Sequence, residues 1–370
     1  MLQQVTLDDI EAIGIGAGIL GTGGGGNPYL GGLHLRRVIT EKGPQQIINP
    51  MELDDNALVV VVGGIGAPTV SIEKLPEGTE MSRAIRLLEK HLGRAFEAVA
   101  IAEIGGANSM QPLIAGLQRG IPTIDSDAMG RAFPEMQMSS YLFGGDEKVS
   151  VAPLAMVDAG VNAIVMPHTE SQVWAERLAR NVAVSMGARA GLAGYAMSGR
   201  HVKATGVHFT LTLAHHLGHV VLQGRKDGDN LPELIGDTLD GRVIFLGKIV
   251  DVNRRTTKGF ARGTVTIQSF NSPHDNLQVE FQNEFLIARR NGETLVTVPD
   301  LICIVTDDTG APVTTELLRY GTRVAVLGVP ASERLKTQTA LKVVGPRAFG
   351  YDLDFRPLPG CRIGVPLRLN

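Results

Sequence analysis

The sequence predicts an α/β N-terminal domain on a mixed or parallel sheet, followed by a β-rich domain of barrel or sandwich type. Three observations predict it. Between residues 57 and 186, short β-branched runs alternate with stretches of helical period. From about residue 240 the helical period vanishes and short strand-like runs follow one another. At 370 residues the chain exceeds the length that one hydrophobic core usually serves, so two domains are expected.

Taken in order, residues 6–20 read as a helix, with Thr6 and Asp9 at capping-box spacing and Leu7, Ile10, Ile13, Ala17 and Leu20 at helical intervals. Gly21 to Gly26 ends it, because glycine enters φ > 0 freely and no regular element persists there. Asn27 and Pro28 supply a cap and a first-turn proline for a second helix. Next come a strand at 57–62, a helix at 81–92, a strand at 98–101, a helix at 109–119, and strands at 121–124 and 163–166. A helix at 170–186 carries Trp174, Leu178 and Val182 four residues apart, and this stripe is expected to pack into the core. The later strands fall at 242–252, 263–269, 276–281, 284–290, 294–298, 301–306 and 323–327. This divides the chain into an α/β domain at 1–195, a helical Gly- and His-rich connection at 196–239, a β-rich domain at 240–345, and a terminal segment at 346–370 that packs back on the α/β domain.

Composition narrows the function. Apolar residues at 44% and charged residues at 20% are globular proportions. A formal net charge of -3 with interspersed signs leaves no basic stripe for a nucleic acid. No apolar run reaches the roughly 18 to 20 residues of a bilayer span, and the N-terminus lacks an export signal, so a cytoplasmic protein with no membrane partner is expected. Only two cysteines occur. Cys303, inside Leu-Ile-Cys-Ile-Val, reads as a small buried hydrophobe, and nothing beside Cys361 lowers its pKa.

Candidate chemistry concentrates in the N-terminal half. Gly23, Gly24, Gly25, Gly26 and Asn27 precede a helix N-terminus, where free amides suit a phosphate or carboxylate; tight helix packing is the alternative reading. Gly16 to Gly21 matches a dinucleotide fingerprint, but it lies inside a helix, so that reading is rejected. Three polar, glycine-flanked segments follow predicted strands: Gly63 to Pro68 with Glu73 and Lys74 beyond, Glu103 to Asn108, and Asp125 to Asp127. Ligands bind at the carboxyl ends of strands in open sheets, which nominates Gly66, Glu103, Asn108, Asp125 and Asp127 for one cleft. Asp125 and Asp127 are two apart, so on an extended segment their carboxylates share a side and suit a divalent cation or a base with its orienter. Arg131 suits an anionic substrate, and Glu135 follows. An Asp-capped turn with a surface ion pair is the competing reading. Among the histidines 201, 208, 215, 216 and 219, the pair His215 and His219 shares a helix face, but the glutamate of a zinc-protease pattern is replaced by His216. Solvated or core-satisfied histidines are favoured over zinc.

These segments resemble a known family. Leu20 to Tyr29, Glu103 to Asn108, Ile121 to Glu135, Phe281 to Glu284 and Pro346 to Asp352 are similar to the S-methyl thiohydantoin desulfurase-like family, nearly end to end. The resemblance implies an α/β domain plus a β domain, association with hydantoinase and oxoprolinase genes, and hydrolytic attack on a hydantoin-like ring carbon. The leading reading is therefore a hydrolase acting on a small cyclic amide, with Asp127 or Glu103 activating water while the glycine loop and Arg131 stabilise negative charge. A non-catalytic ligand-binding partner of a hydantoinase-type complex and a nucleotide-using enzyme are the alternatives. The small molecule is the expected partner, and a homo-oligomer is compatible with the sequence.

Overall fold

A computed structural model describes residues 1–66, 76–257 and 260–358. Ala67, Pro68, Glu73, Lys74 and Cys361 lie outside the described residues.

The chain opens with β1 (Gln4–Val5), α1 (Ile10–Leu20) and α2 (Pro28–Lys42). The Asn27 side chain accepts from the Tyr29 amide at 2.9 Å, and Pro28 occupies the first helical position, so α2 starts where its local chemistry dictates. α1 begins later than its apolar spacing predicts. Thr6 donates from both its amide and its hydroxyl to Asp9 Oδ2, each at 2.7 Å, and that turn holds residues 6–9 outside the helix.

β2 (Gln45–Ile48), β3 (Leu58–Gly66), α3 (Glu80–Leu92), β4 (Ala98–Ile101), α4 (Gln111–Arg119), β5 (Thr123–Ile124) and β6 (Ser126–Asp127) follow. Then come β7 (Leu154–Val157), β8 (Ala163–Met166), α5 (Gln172–Ser185) and β9 (Arg189–Ser198). Eight strands form a mixed sheet in the order β1-β2-β5-β4-β3-β9-β7-β8. Its β2-β5-β4-β3 stretch is parallel, and β9, β7 and β8 join antiparallel. The wholly buried runs Val59 to Val62 and Ala98 to Ile101 are what a sheet covered on both faces requires.

α6 (Gly199–Thr205), β10 (Val207–His208), α7 (Thr210–Asp227) and α8 (Leu231–Thr238) lead to the second sheet. The close approach of α1 and α7 explains the rejected dinucleotide fingerprint. A Cβ at Gly16 would strike the Ala214 carbonyl, and one at Gly218 would strike the Ala12 carbonyl, so these glycines let two helix backbones touch.

The second sheet contains β11 (Arg242–Thr257), β12 (Phe260–Ser269), β13 (Asn276–Gln282), β14 (Glu284–Arg290), β15 (Glu293–Thr297), β16 (Leu301–Thr306) and β17 (Arg323–Val329). It is antiparallel throughout, in the order β15-β14-β13-β12-β11-β17-β16, and curls into a half-barrel because β14 and β15 come back to β16. α9 (Gln338–Val344) and a final coil follow; Leu358 packs inside the half-barrel core and donates its amide to Asp300 at 3.0 Å.

One hydrophobic cluster crosses from one half to the other. Ile13, Ala17 and Leu217 of the N-terminal helices share it with Leu286, Leu301 and Leu327 of the half-barrel. The expected core stripe on α5 is corrected: Trp174 and Leu178 are exposed, and the helix buries Ala175, Ala179 and Ala183 instead. Apolar spacing identifies a helix but not which face its neighbours cover, and here the small residues allow the closer approach.

Candidate functional site

A cavity of about 450 Å³ lies where the carboxyl ends of β3 and β4 meet the glycine loop and the start of β14. Its walls are largely apolar, with Met81, Met129, Phe133, Met136 and Leu192. Glu103, Glu135, Glu284 and Glu316 also line it, together with Arg37, Arg180 and Arg189. A cavity of this size suits a small heterocycle.

Glu103 follows β4 and is almost fully buried. Its Oε1 accepts from Asn108 Nδ2 at 2.6 Å and its Oε2 from the Phe133 amide at 3.1 Å. Burial still outweighs these bonds and pushes its pKa up to about 7. Asn108 also accepts from the Gly64 amide at 3.1 Å, so one side chain ties the ends of β3 and β4 to the acid.

Glu284 stands at the first residue of β14, after Asn283 at φ 59°. Its Oε2 is buried and has no hydrogen-bond partner among the described residues. Burial, and then the neighbouring Glu103 charge, hold its pKa well above the usual carboxylate range. Glu316 also carries a buried Oε2 without a partner among the described residues. Glu135 is half-buried, raised by burial, and accepts from Gln137.

The glycine loop forms the adjoining wall. Gly25, Gly26 and Asn27 line the cavity. The Gly25 and Gly26 carbonyls accept from Asn108 and Ala107 at 3.0 and 3.2 Å, while their amides have no acceptor among the described residues. Gly23 and Gly24 pack instead: a Cβ on Gly23 would come within 2.6 Å of the Phe285 ring, and one on Gly24 would collide with the Glu284 carboxylate. The loop therefore lines the cavity at one end and packs closely at the other. Gly66 lines the cavity at the end of β3 with φ 151°.

Asp125, Asp127 and Arg131 are positioned behind this wall. The expectation that both aspartates share one side is corrected. Asp125 Oδ1 accepts from the Leu211 and Thr212 amides at 2.9 and 3.3 Å, and Oδ2 accepts from the Thr212 hydroxyl, so it caps α7. Asp127 Oδ2 accepts from the amides of Ile104, Met129 and Gly130 at 3.0, 3.1 and 2.8 Å. β6 pairs with β10 here, and the chain turns inward rather than out to the cleft. Burial pushes the Asp127 carboxyl up to about 7 despite three N–H donors.

Arg131 is fully buried, and its five N–H groups are taken by the carbonyls of Ala132, Pro299, Asp300 and Phe285 and by the Thr22 hydroxyl at 2.8 to 3.1 Å. A guanidinium so engaged has no donor left for a substrate, which corrects its expected role as a clamp. It fastens the half-barrel to the α/β part and supplies a buried positive charge beside Glu284.

Models of the S-Me-THD-like N-terminal domain and of the S-Me-THD-like C-terminal domain match residues 8–168 and 170–358. The chain belongs to the S-Me-THD-like family. A crystal structure of a protein from Chromobacterium violaceum is similar over 96% of this chain and all of its own, with TM-score 0.80 and 21% identity, so the S-Me-THD-like chain shares its fold. No curated protein matches. The family name is consistent with a role connected to thiohydantoins.

Sequence reading nominated Glu103, Glu135, Asn108, Gly66 and Gly25 to Asn27, which the fold does bring to one cavity. It missed Glu284 and Glu316 as site residues. The available signal at Glu284 was Gln282-Asn283-Glu284, a polar interruption between two apolar strands. Cys303 is buried, and burial pushes its thiol up to about 12. Among the described residues no helix is long and apolar enough to cross a membrane.

Proposed function

We propose that this chain hydrolyses a small cyclic amide-like substrate of the S-methyl thiohydantoin class at the ring carbon that bears sulfur. The observation that carries the reading is the buried carboxyl pair Glu103 and Glu284 lining one small, mainly apolar cavity, both with pKa raised by burial. Glu103, poised near 7, serves as general base, and Glu284, whose pKa is held above the usual carboxylate range by burial and by the Glu103 charge, serves as general acid.

Ionised Glu103 takes a proton from water as the water oxygen bonds to the ring carbon, and passes it to the ring nitrogen. The tetrahedral carbon then collapses. The C–S bond breaks, Glu284 protonates the departing sulfur, and the hydroxyl proton of the intermediate restores Glu284. Substrate plus water becomes hydantoin plus methanethiol, with no change of oxidation state. The Gly25 and Gly26 amides, just before α2, donate to the ring carbonyl oxygen, onto which negative charge spreads during attack. Apolar walls exclude bulk water and keep the pKa of both acids raised.

The test is incubation of the purified chain with S-methyl thiohydantoin, reading methanethiol with a thiol reagent and hydantoin by chromatography. Stoichiometric appearance of both supports the reading. Ring opening without thiol release would move the scissile bond to C–N, and no turnover with no ligand-induced melting shift would overturn it.

A further inference from the structure

Far from the cavity, three potential metal ligands converge at the start of α1. His215 Nε2 lies 2.8 Å from Asp9 Oδ1 and 3.0 Å from His219 Nε2. The three ligand atoms all fall within 4.8 Å of one another. His215 and His219 occupy successive turns of one face of α7, while Asp9 arrives from the turn before α1, 206 residues away in sequence.

We propose that Asp9, His215 and His219 form a binding site for a divalent transition cation of the Zn²⁺ class, which clips α7 to the N-terminal turn. Hydrogen bonding alone fits this arrangement poorly. His215 Nε2 faces both partners, and a single ring nitrogen offers either one proton or one lone pair, so only one of the two contacts can be a well-formed hydrogen bond. A cation at the point of convergence uses a lone pair from each of the three atoms. Tetrahedral bonds of about 2.0 to 2.1 Å place neighbouring ligand atoms about 3.3 Å apart, within about half an ångström of the 2.8 and 3.0 Å separations that His215 makes here. Two imidazoles and one carboxylate are a borderline donor set that suits Zn²⁺ rather than Mg²⁺ or Ca²⁺.

The supporting shell is in place. Asp9 Oδ2 receives the Thr6 amide and hydroxyl, which turns Oδ1 toward the histidines. The glycine-mediated contact of α1 with α7 fixes the two elements against each other before any ion binds. His219 is exposed, which leaves an entry path and room for a water as fourth ligand. α1 runs 11 residues from this point toward the glycine loop, on the order of 15 Å at 1.5 Å per residue, so the site serves stability and not the chemistry of the cavity.

The experiment uses the full chain, freed of any affinity tag, stripped with chelator and titrated with Zn²⁺ and separately with Co²⁺. One Zn²⁺ per chain after desalting, visible absorption bands of four-coordinate Co²⁺, and a melting temperature raised by roughly 5 °C or more at a hundredfold excess over Kd are expected. His219→Ala and His219→Gln, at an exposed position, should melt like the parent without metal and lose all three signals, whereas His274→Ala should keep them. Absence of stoichiometric Zn²⁺ in the parent, or its retention in both His219 variants, overturns the site.

Discussion

Two groups of buried carboxylates, one lining the cavity and one in the interior behind it, are put to opposite uses. Glu103 and Glu284 face the cavity, and Glu284 leaves one oxygen without a partner among the described residues. Asp125 and Asp127 face the interior, where backbone amides of α7 bind Asp125 Oδ1 and those of Ile104, Met129 and Gly130 bind Asp127 Oδ2, while Asp127 Oδ1 is buried without a hydrogen-bond partner among the described residues. Burial raises the pKa in both groups. A raised pKa, or an unpartnered oxygen, therefore does not distinguish a reactive acid from a structural one; whether the residue lines the cavity does.

The sharpest way to break this comparison is to neutralise one acid of each group. Glu284→Gln and Glu103→Gln should each reduce turnover of S-methyl thiohydantoin on the order of 10² to 10⁴, the usual contribution of a general acid or base. Asp127→Asn should leave turnover within about threefold, measured at the same temperature and pH. A large loss for Asp127→Asn with little for Glu103→Gln would reverse the assignment.

Stability should respond the other way round. Arg131→Met removes the guanidinium that binds four carbonyls and Thr22 across the two halves, and leaves those acceptors buried. Breaking such a buried network costs about 3 to 5 kcal/mol, which corresponds to a melting temperature lower by roughly 10 °C. Asp127→Ala strands three backbone donors and should cost about 3 kcal/mol. Calorimetry checks both, and a neutral Arg131→Met would remove its role as a fastener.

A smaller effect separates the two groups by pH. Glu103 titrates near 7 in the fold against 4.5 for an ordinary glutamate, so between those values the folded chain binds more protons than the unfolded one. Its contribution to stability is therefore full below about pH 4.5 and is lost as pH rises through 7, by up to about 3 kcal/mol for a shift of this size. Glu103→Gln should flatten that part of the decline, so the variant melts higher than the parent at pH 8 even as it loses activity. Removing the Glu103 charge should also move the Glu284 titration to lower pH, visible in its carboxyl resonance, because that charge is one cause of the Glu284 shift. An unchanged Glu284 titration would show that the two acids do not interact.

Local chemistry made much of the fold legible. Asn27-Pro28 starts α2, the buried runs at 59–62 and 98–101 form central strands, and the β-only pattern after residue 240 becomes the half-barrel. The short-range part of the site was legible for the same reason: Glu103, Asn108 and Gly25 to Asn27 sit where a strand or helix ends, and such ends face a cleft. What the sequence could not decide is which neighbours arrive from afar. The half-barrel brings Glu284 against the glycine loop, α7 takes Asp125 as its cap, and the interface between halves consumes Arg131. Spacing along a chain determines which side chains leave a strand together, but partners such as Leu211 for Asp125 and Phe285 for Arg131 lie 86 and 154 residues away, and only the packed tertiary structure decides whether a carboxylate meets an amide, an arginine or an open cavity.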